Sequence, residues 1–394
     1  MPPIRSESII GLPDYKIISC QGIKTVEILV EYTGVIGCIH CGSVNLRKKE
    51  RFNRVLKHHS IGISKSLLLV QTYKFFCRDC GKYFNQRLPG VQPYQRSTEP
   101  FKDEVSMKHH DGVSVIKVSQ RLGLGEATVG RYYRNYIARE FREHKNASVP
   151  KVLGIDEKKF SKKLGYQTTL VNLQKHTVYD ITLGRTESNL GRYLQKLPDR
   201  NNCKVIVMDL SETYRSIARK YFPKAMIVAD RFHVVRLVNH HFLKVWSELD
   251  KVGRKNRGLM YLMRMHEWSK MKEKSRKNLN KYLQENPALK AIYDFKQKLM
   301  KLILTRVFGR RAAREQIPKF LDAIRALKMS NFGNLETLGN TLDEWKEEIV
   351  RMWRFSKTNS ITEGLHRRMD EIQNRAYGMH NFNNYRIRVK AYCS

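Results

Sequence analysis

From Lys151 the chain runs through three strand-like stretches, "KVLGIDEKKF", "YQTTLVNL" and "TVYDITLG", and then a helix-like "ESNLGRYLQKL". A strand "KVIVMDL", a helix "ETYRSIARKYF" and a strand "AMIVADRFHV" follow. In a βββαβαβ arrangement the first and fourth strands are expected to be neighbours in the sheet. The apolar part of each ends in an aspartate, Asp156 after "VLGI" and Asp209 after "VIVM". Asp209 is no cap for the next helix, since Ser211 is better placed for that. Glu157 points to the face opposite Asp156 by strand alternation. Two carboxylates at adjacent strand ends repel unless a cation neutralises them. Magnesium takes oxygen ligands, and two such ions can activate water or a 3′ hydroxyl for in-line attack on a phosphodiester.

A third carboxylate would complete such a site. Glu363 in "NSITEGLHRR" is the first candidate, although "SITE" also fits a helix capping box. Asp230 in "VADRFHVV" is held in reserve, with an N-cap as its plainer role. His233 follows three residues later and suits packing or hydrogen bonding as readily as chemistry. The residues alone do not choose between Glu363 and Asp230.

Seven cysteines occur, four of them in "CIHC" (Cys38, Cys41) and "CRDC" (Cys77, Cys80). The two-residue gap lets one tight turn present two thiolates, and two such knuckles supply the four soft donors of structural zinc. Each knuckle is followed by a glycine, which permits a left-handed turn. A redox dithiol would need one pair in a βαβ context, which is absent. His40, His58 and His59 are weaker ligand candidates. An odd cysteine count without a secretion signal argues against a disulfide framework.

Lys and Arg number 74 against 37 Asp and Glu, a net charge of +37. Such a field favours a polyanionic partner, and nucleic acid over a membrane surface, because no lipidation motif or basic amphipathic anchor stands out. No run of about 18 apolar residues suggests a membrane span. "MPPIRSESII" has no signal-peptide pattern, so the expected location is cytoplasmic. Val113 to Glu140 carries a helix-turn-helix pattern, with Val115, Val118, Leu122 and Leu124 inward, "GLG" as the turn, and Val129 and Tyr132 inward on the second helix. Glu126, Thr128, Arg131 and Arg134 then face groove edges or phosphates. An ordinary helical hairpin is the alternative.

Together "GIDEKKF", "VMDLSETYRSIARKYFPKAMIVADRFHVVRLVN" and "NSITEGLHRRMDEIQNRAYGMHNFNNYRIRV" resemble the ISL-three family of bacterial insertion-sequence transposases over nearly the whole chain. The resemblance implies a multidomain α/β protein. Its expected parts are an N-terminal zinc-binding β-rich module (1–95), a helix-turn-helix domain (96–148) and a ribonuclease-H-like mixed-sheet catalytic domain (149–239 and 356–394), interrupted by an all-helical insertion (240–355). It implies a DDE triad carried by Asp156, Asp209 and Glu363, with magnesium or manganese as catalytic ion. The expected function is binding of terminal inverted repeats, metal-dependent strand cleavage and strand transfer into target DNA, by a homodimer or larger homo-oligomer associated with the nucleoid when bound. The alternative is a non-catalytic sequence-specific DNA-binding protein, a repressor or domesticated transposase. Arg367, Arg368, Arg375, Arg386 and Arg388 are expected on phosphate. Trp246, Trp268, Trp345 and Trp353 are expected in cores, with stacking on an unpaired base as the alternative.

Overall fold

The computed structural model describes residues 10–144, 148–265, 271–306, 310–355, 360–375 and 381–393. The chain divides into two compact units, Met1–Arg142 and Glu143–Ser394.

The first unit carries a five-stranded sheet of β1 (Tyr15–Gln21), β2 (Thr25–Tyr32), β3 (Leu46–Ile61), β4 (Ser64–Cys77) and β5 (Tyr83–Asn85), in the order β1-β2-β4-β3 with β5 pairing β4. Alternation along β4 puts Leu68 and Val70 in one core, and past Tyr73 the pattern shifts by one residue and puts Phe75 in a second core with the cysteines. Three helices follow: α1 (Glu99–His110), α2 (Val115–Leu122) and α3 (Glu126–His144). Thr98 caps α1 and Ser114 caps α2. Gly123 ends α2 in the left-handed region at φ 61, a conformation that favours glycine. The predicted inward residues pack with Phe101 and Val105 in one small core. Glu126, Arg131 and Arg134 are exposed and Thr128 half-buried on the outward side of α3. The Lys57 ammonium donates to the Gly123 carbonyl at 2.5 Å, and His58 Nδ1 lies 2.9 Å from the Thr98 hydroxyl. The divide expected at residue 95 therefore falls inside one unit.

The second unit is built on β6 (Val152–Ser161), β7 (Gly165–Asn172), β8 (Thr177–Leu183), β9 (Val205–Met208) and β10 (Met226–Ala229), in the order β10-β9-β6-β7-β8. β6, β9 and β10 run parallel, and β6, β7 and β8 antiparallel. The first and fourth strands are neighbours, as the βββαβαβ order requires. All four residues of β9 are buried, as suits a strand covered on both faces; each contributes about 1.5–3 kcal/mol of burial. Helices α4 (Glu187–Gln195) and α5 (Glu212–Tyr221) make the crossovers, and Ser211 caps α5.

The helical segment comprises α6 (Arg231–Leu249), α7 (Arg257–Arg264), α8 (Glu273–Gln284), α9 (Pro287–Leu304), α10 (Arg310–Lys328), α11 (Gly333–Glu344) and α12 (Lys346–Met352). It is not a separately cored insertion. Leu299, Phe320, Leu338, Trp345, Ile349 and Trp353 share one core with the sheet residues Ile155, Ile206 and Val228. Arg231, the first residue of α6, donates to the carbonyls of Leu304 and Met352, tying down the ends of α9 and α12. Only the stretch around α7 and α8 has its own core, which includes Trp246. Trp246, Trp345 and Trp353 are each at most 3% exposed, so core packing holds and base stacking does not. Trp268 lies outside the described residues. Two last helices, α13 (Ser360–Arg375) and α14 (Phe382–Cys393), return to the sheet, where Leu365, Met369, Tyr385 and Val389 join the main core.

Candidate metal centres and active site

Strand register places the acidic residues. Ile155 pairs with Met208, and Met208 with Ala229. The next residue on each strand is an aspartate, so Asp156, Asp209 and Asp230 form one row across β6, β9 and β10. Asp156 does not end its strand. The parallel ladder stops at Ile155, while β6 continues to Ser161 against β7. The Asp230 amide donates to the Met208 carbonyl at 2.7 Å, and Asp230 is 2% exposed.

His233, one turn into α6, closes the row. Its Nε2 lies 2.8 Å from Asp209 Oδ1 and 3.6 Å from Asp230 Oδ2. The Arg236 guanidinium lies 2.9 Å from His233 Nδ1. A guanidinium only donates, so Nδ1 accepts, and the neutral ring then carries its proton on Nε2, the nitrogen that faces Asp209. Asp156, Asp209 and His233 bring one donor atom each within 4.8 Å of one another. Burial first, and then the Asp209 charge, push the Asp156 carboxyl up to about 7, against the Glu157 amide, which donates to Asp156 Oδ1 at 2.7 Å. Burial pulls the His233 pKa down, but the Asp209 hydrogen bond and the charges of Asp209 and Asp230 outweigh it and leave it raised. Such a desolvated, mutually repelling pair is chemically suited to a divalent cation.

Glu363 sits in the first turn of α13 and is outside that tight cluster. Its side chain is 63% exposed and pairs with Arg367 at 3.0 Å. One turn on, His366 Nε2 lies 3.0 Å from the hydroxyl of Thr169, the register partner of Asp156. Burial first, then Lys158, lower His366 to about 4, while the charges of Asp370, Asp209 and Glu363 oppose them. Lys158 pairs with Asp370 at 2.6 Å, and Gln373 donates to the Phe160 carbonyl. α13 thus lies along β6, with Glu363 in its first turn.

The cysteines form the second centre. All four Sγ atoms lie within 4.8 Å of one another. Cys38 and Cys80 are 3.6 Å apart, as are Cys41 and Cys77. Four sulfurs held tetrahedrally at 2.3 Å around zinc would be about 3.8 Å apart, so the donor set fits. Gly42 and Gly81 take φ 79 and 69 in the two turns. Backbone N–H groups of Cys80 and Asp79 help pull the Cys77 thiol down to about 7. His40 contributes its amide, which donates to Cys38 Sγ. His40, His58 and His59 are not in the cluster.

The family model for DDE transposases of the ISL3 group matches residues 153–389. The chain belongs to the ISL3 family of transposases. A second match, to the helix-turn-helix domain of transposase family ISL3, covers residues 86–137. The transposase for insertion sequence element IS1001 of Bordetella parapertussis is 23% identical over 379 residues, spanning 93% of this chain and 91% of that protein. The resemblance read from the three motif blocks is thereby confirmed, and this transposase has the mixed α/β architecture expected of it. Among the described residues no helix is long and apolar enough to cross a membrane.

Of the transposase's predicted phosphate ligands, Arg386 is engaged internally. Its guanidinium forks onto Asp180 at 2.7 and 2.6 Å, and that hydrogen bond raises its pKa. Arg375 pairs with Glu371 at 3.8 Å. Arg368 is exposed, and Arg388 is half-buried. Arg236 and His366 were not singled out from the sequence. The signal for Arg236 was its position three residues after His233, on the same helix face.

Proposed function

We propose that this transposase binds the terminal inverted repeats of an insertion sequence, cuts DNA at the element ends and joins the freed ends to target DNA. The observation that carries this reading is the register row of Asp156, Asp209 and Asp230, flanked by the helix bearing Glu363. The sheet order, three antiparallel strands followed by parallel ones, supports a ribonuclease-H-like catalytic domain, with Asp156, Asp209 and Glu363 as its triad and Asp230 in reserve.

Asp156 and Asp209, with Glu363 brought in from α13, would hold magnesium or manganese, which supplies Lewis acidity toward the phosphodiester. His233, with its proton on Nε2, orients Asp209, and the Glu157 amide fixes Asp156 Oδ1. In cleavage, water attacks phosphorus and the bond to the 3′ oxygen breaks, leaving a 3′ hydroxyl on the element. That hydroxyl then attacks a target phosphodiester, whose own 3′ oxygen leaves. Zinc on Cys38, Cys41, Cys77 and Cys80 is structural in this reading. Glu126, Thr128, Arg131 and Arg134 on α3 meet the repeat, and Arg367, Arg368, Arg375 and Arg388 support phosphate. Arg386 is released from that role by Asp180. Two ends must be paired, so the working species is a homodimer or larger, acting in the cytoplasm on the nucleoid.

The test is cleavage of labelled DNA carrying the element's own end, by wild type and Asp209→Ala with magnesium and by wild type without it. Site-specific nicking that needs both Asp209 and magnesium is expected. Tight end binding with no cleavage in any lane, manganese included, would return Asp209 to a structural role.

A further inference from the structure

A groove of about 600 Å³ runs along α6, lined by Phe232, Arg236, His240, Lys244, Arg254 and Arg264, with Asn239 and Ser247 among its other walls. It begins at the residue next to His233 and leads away from the aspartate row. Phe232, Arg236, His240 and Lys244 recur every four residues, about 6 Å apart along the helix axis. From Phe232 to Ser247 the wall extends about 22 Å. Among the described residues no carboxylate lines the groove, and none of its four Lys and Arg side chains is paired with an acid. Arg236 touches His233, and Arg254 meets Met260 sulfur and the Trp246 ring. Phe232 is 53% exposed, its ring 5.5 Å from that of His233 and 6.0 Å from the Arg236 guanidinium. A row of cations with a half-exposed aromatic at its head matches the general design of a single-strand channel, phosphates on the cations and a base on the ring.

We propose that this groove takes the DNA strand that continues past the scissile phosphate into the flank, with its phosphates on Arg236, Lys244, Arg254 and Arg264 and its first base against Phe232. The proposal rests on the cutting role above, because the groove matters as the exit from that site. Phe232, not one of the tryptophans, is then the stacking residue.

The experiment measures binding of the full-length protein to labelled end duplexes carrying no flank, or flanks of increasing length, with no divalent ion added. Wild type should bind more tightly as the flank lengthens. Lys244→Glu with Arg264→Glu should lose that gain while keeping its affinity for the unflanked end and its melting temperature. Two lost phosphate contacts should cut the fall in flanked-end affinity between 50 and 200 mM salt by about tenfold, and Lys244→Arg with Arg264→Lys should restore it. A fluorescent base analogue at the first flank position should be quenched by wild type and not by Phe232→Ala. Wild type that gains nothing from the flank would overturn the proposal. So would a charge-reversed protein that keeps the gain, or one that weakens equally on the unflanked end. Failure of the carboxylates to cut leaves these readings intact, since none needs catalysis.

Discussion

The cysteine cluster draws its four sulfurs from two turns at the open end of one hairpin, where Leu46 pairs with Cys77. The aspartate row draws on three strands that adjoin in the sheet although two further strands and a helix separate the first from the second in the chain, and His233 comes to it from α6. In the first, Ser43 and Asn45 of one knuckle donate to Asp79 of the other, so the turns hold each other before any ion arrives. In the second, the carboxylates repel one another, and the core, the Glu157 amide and His233 keep them together. One site is made by local spelling and the other by topology. The first stabilises its surroundings when loaded; the second is a strain that the fold carries for its use.

The largest expected effect tests the second half of that contrast. Asp156→Ala and Asp209→Ala should each lower end cleavage by at least about 10³-fold with end binding kept, measured on labelled duplexes. Unfolding of the second unit should be unharmed by either change, because each removes a repulsion. A large loss of stability would show that the row is structural.

Cys77→Ser should do the reverse. It should abolish the zinc content of the purified protein and cost the first unit several kcal/mol, short of the ~10 kcal/mol or more seen where metal is the whole fold. Ile10, Ile28, Leu56 and Leu68 still form a core without it. The transition of the second unit in calorimetry should stay put.

A smaller effect follows from pH. The Asp156 carboxyl sits near 7 when folded, against about 4 unfolded. Between those values the unfolded chain has released a proton that the folded chain keeps. The Asp156 contribution to stability of the metal-free second unit therefore falls as pH rises from about 4 to about 7, by on the order of 2 kcal/mol or more, while His366, held near 4, acts in the opposite direction over the same window. Urea titrations of wild type and Asp156→Asn at pH 5 and pH 7.5 should show stability changing less favourably with rising pH in wild type than in the variant, and added magnesium should oppose that difference.

The smallest change expected is at Arg367→Ala. Its pair with Glu363 is exposed, so the loss should stay within about 0.5 kcal/mol. Leu365 and Met369, not that ion pair, fix α13 on the sheet.

Much of this plan could be read from the residues. The apolar runs ending at Asp156 and Asp209, with the strand count between them, give the neighbouring strands and the close carboxylates. The knuckle spacing gives the cysteine cluster, and "GLG" the turn of the helix-turn-helix. β3 was harder, because its first half, "LRKKERFN", is mostly exposed and charged, so no alternation marks it. The helical segment reads as an insertion because its pattern reports that one face of each helix is apolar. It does not report which surface that face meets, and here much of it meets the sheet. Glu363 could be found but not placed, since its position follows from contacts of His366, Asp370 and Gln373 with strands some two hundred residues earlier.

The shared core also governs timing during synthesis. Leu365, Met369, Tyr385 and Val389 arrive last and close the same interior that holds the strands of the aspartate row. A ribosome must therefore pass Val389 before the interior around the aspartate row is closed. The first unit is finished by Arg142 and waits for nothing downstream. A gene halted before Leu365 leaves all five strands of that sheet but bares the apolar surface that α13 and α14 would cover, a substrate for proteases, attached to an intact helix-turn-helix. What outlives such damage is the helix-turn-helix, which on the proposed reading would compete with the full-length protein for DNA ends without cutting them.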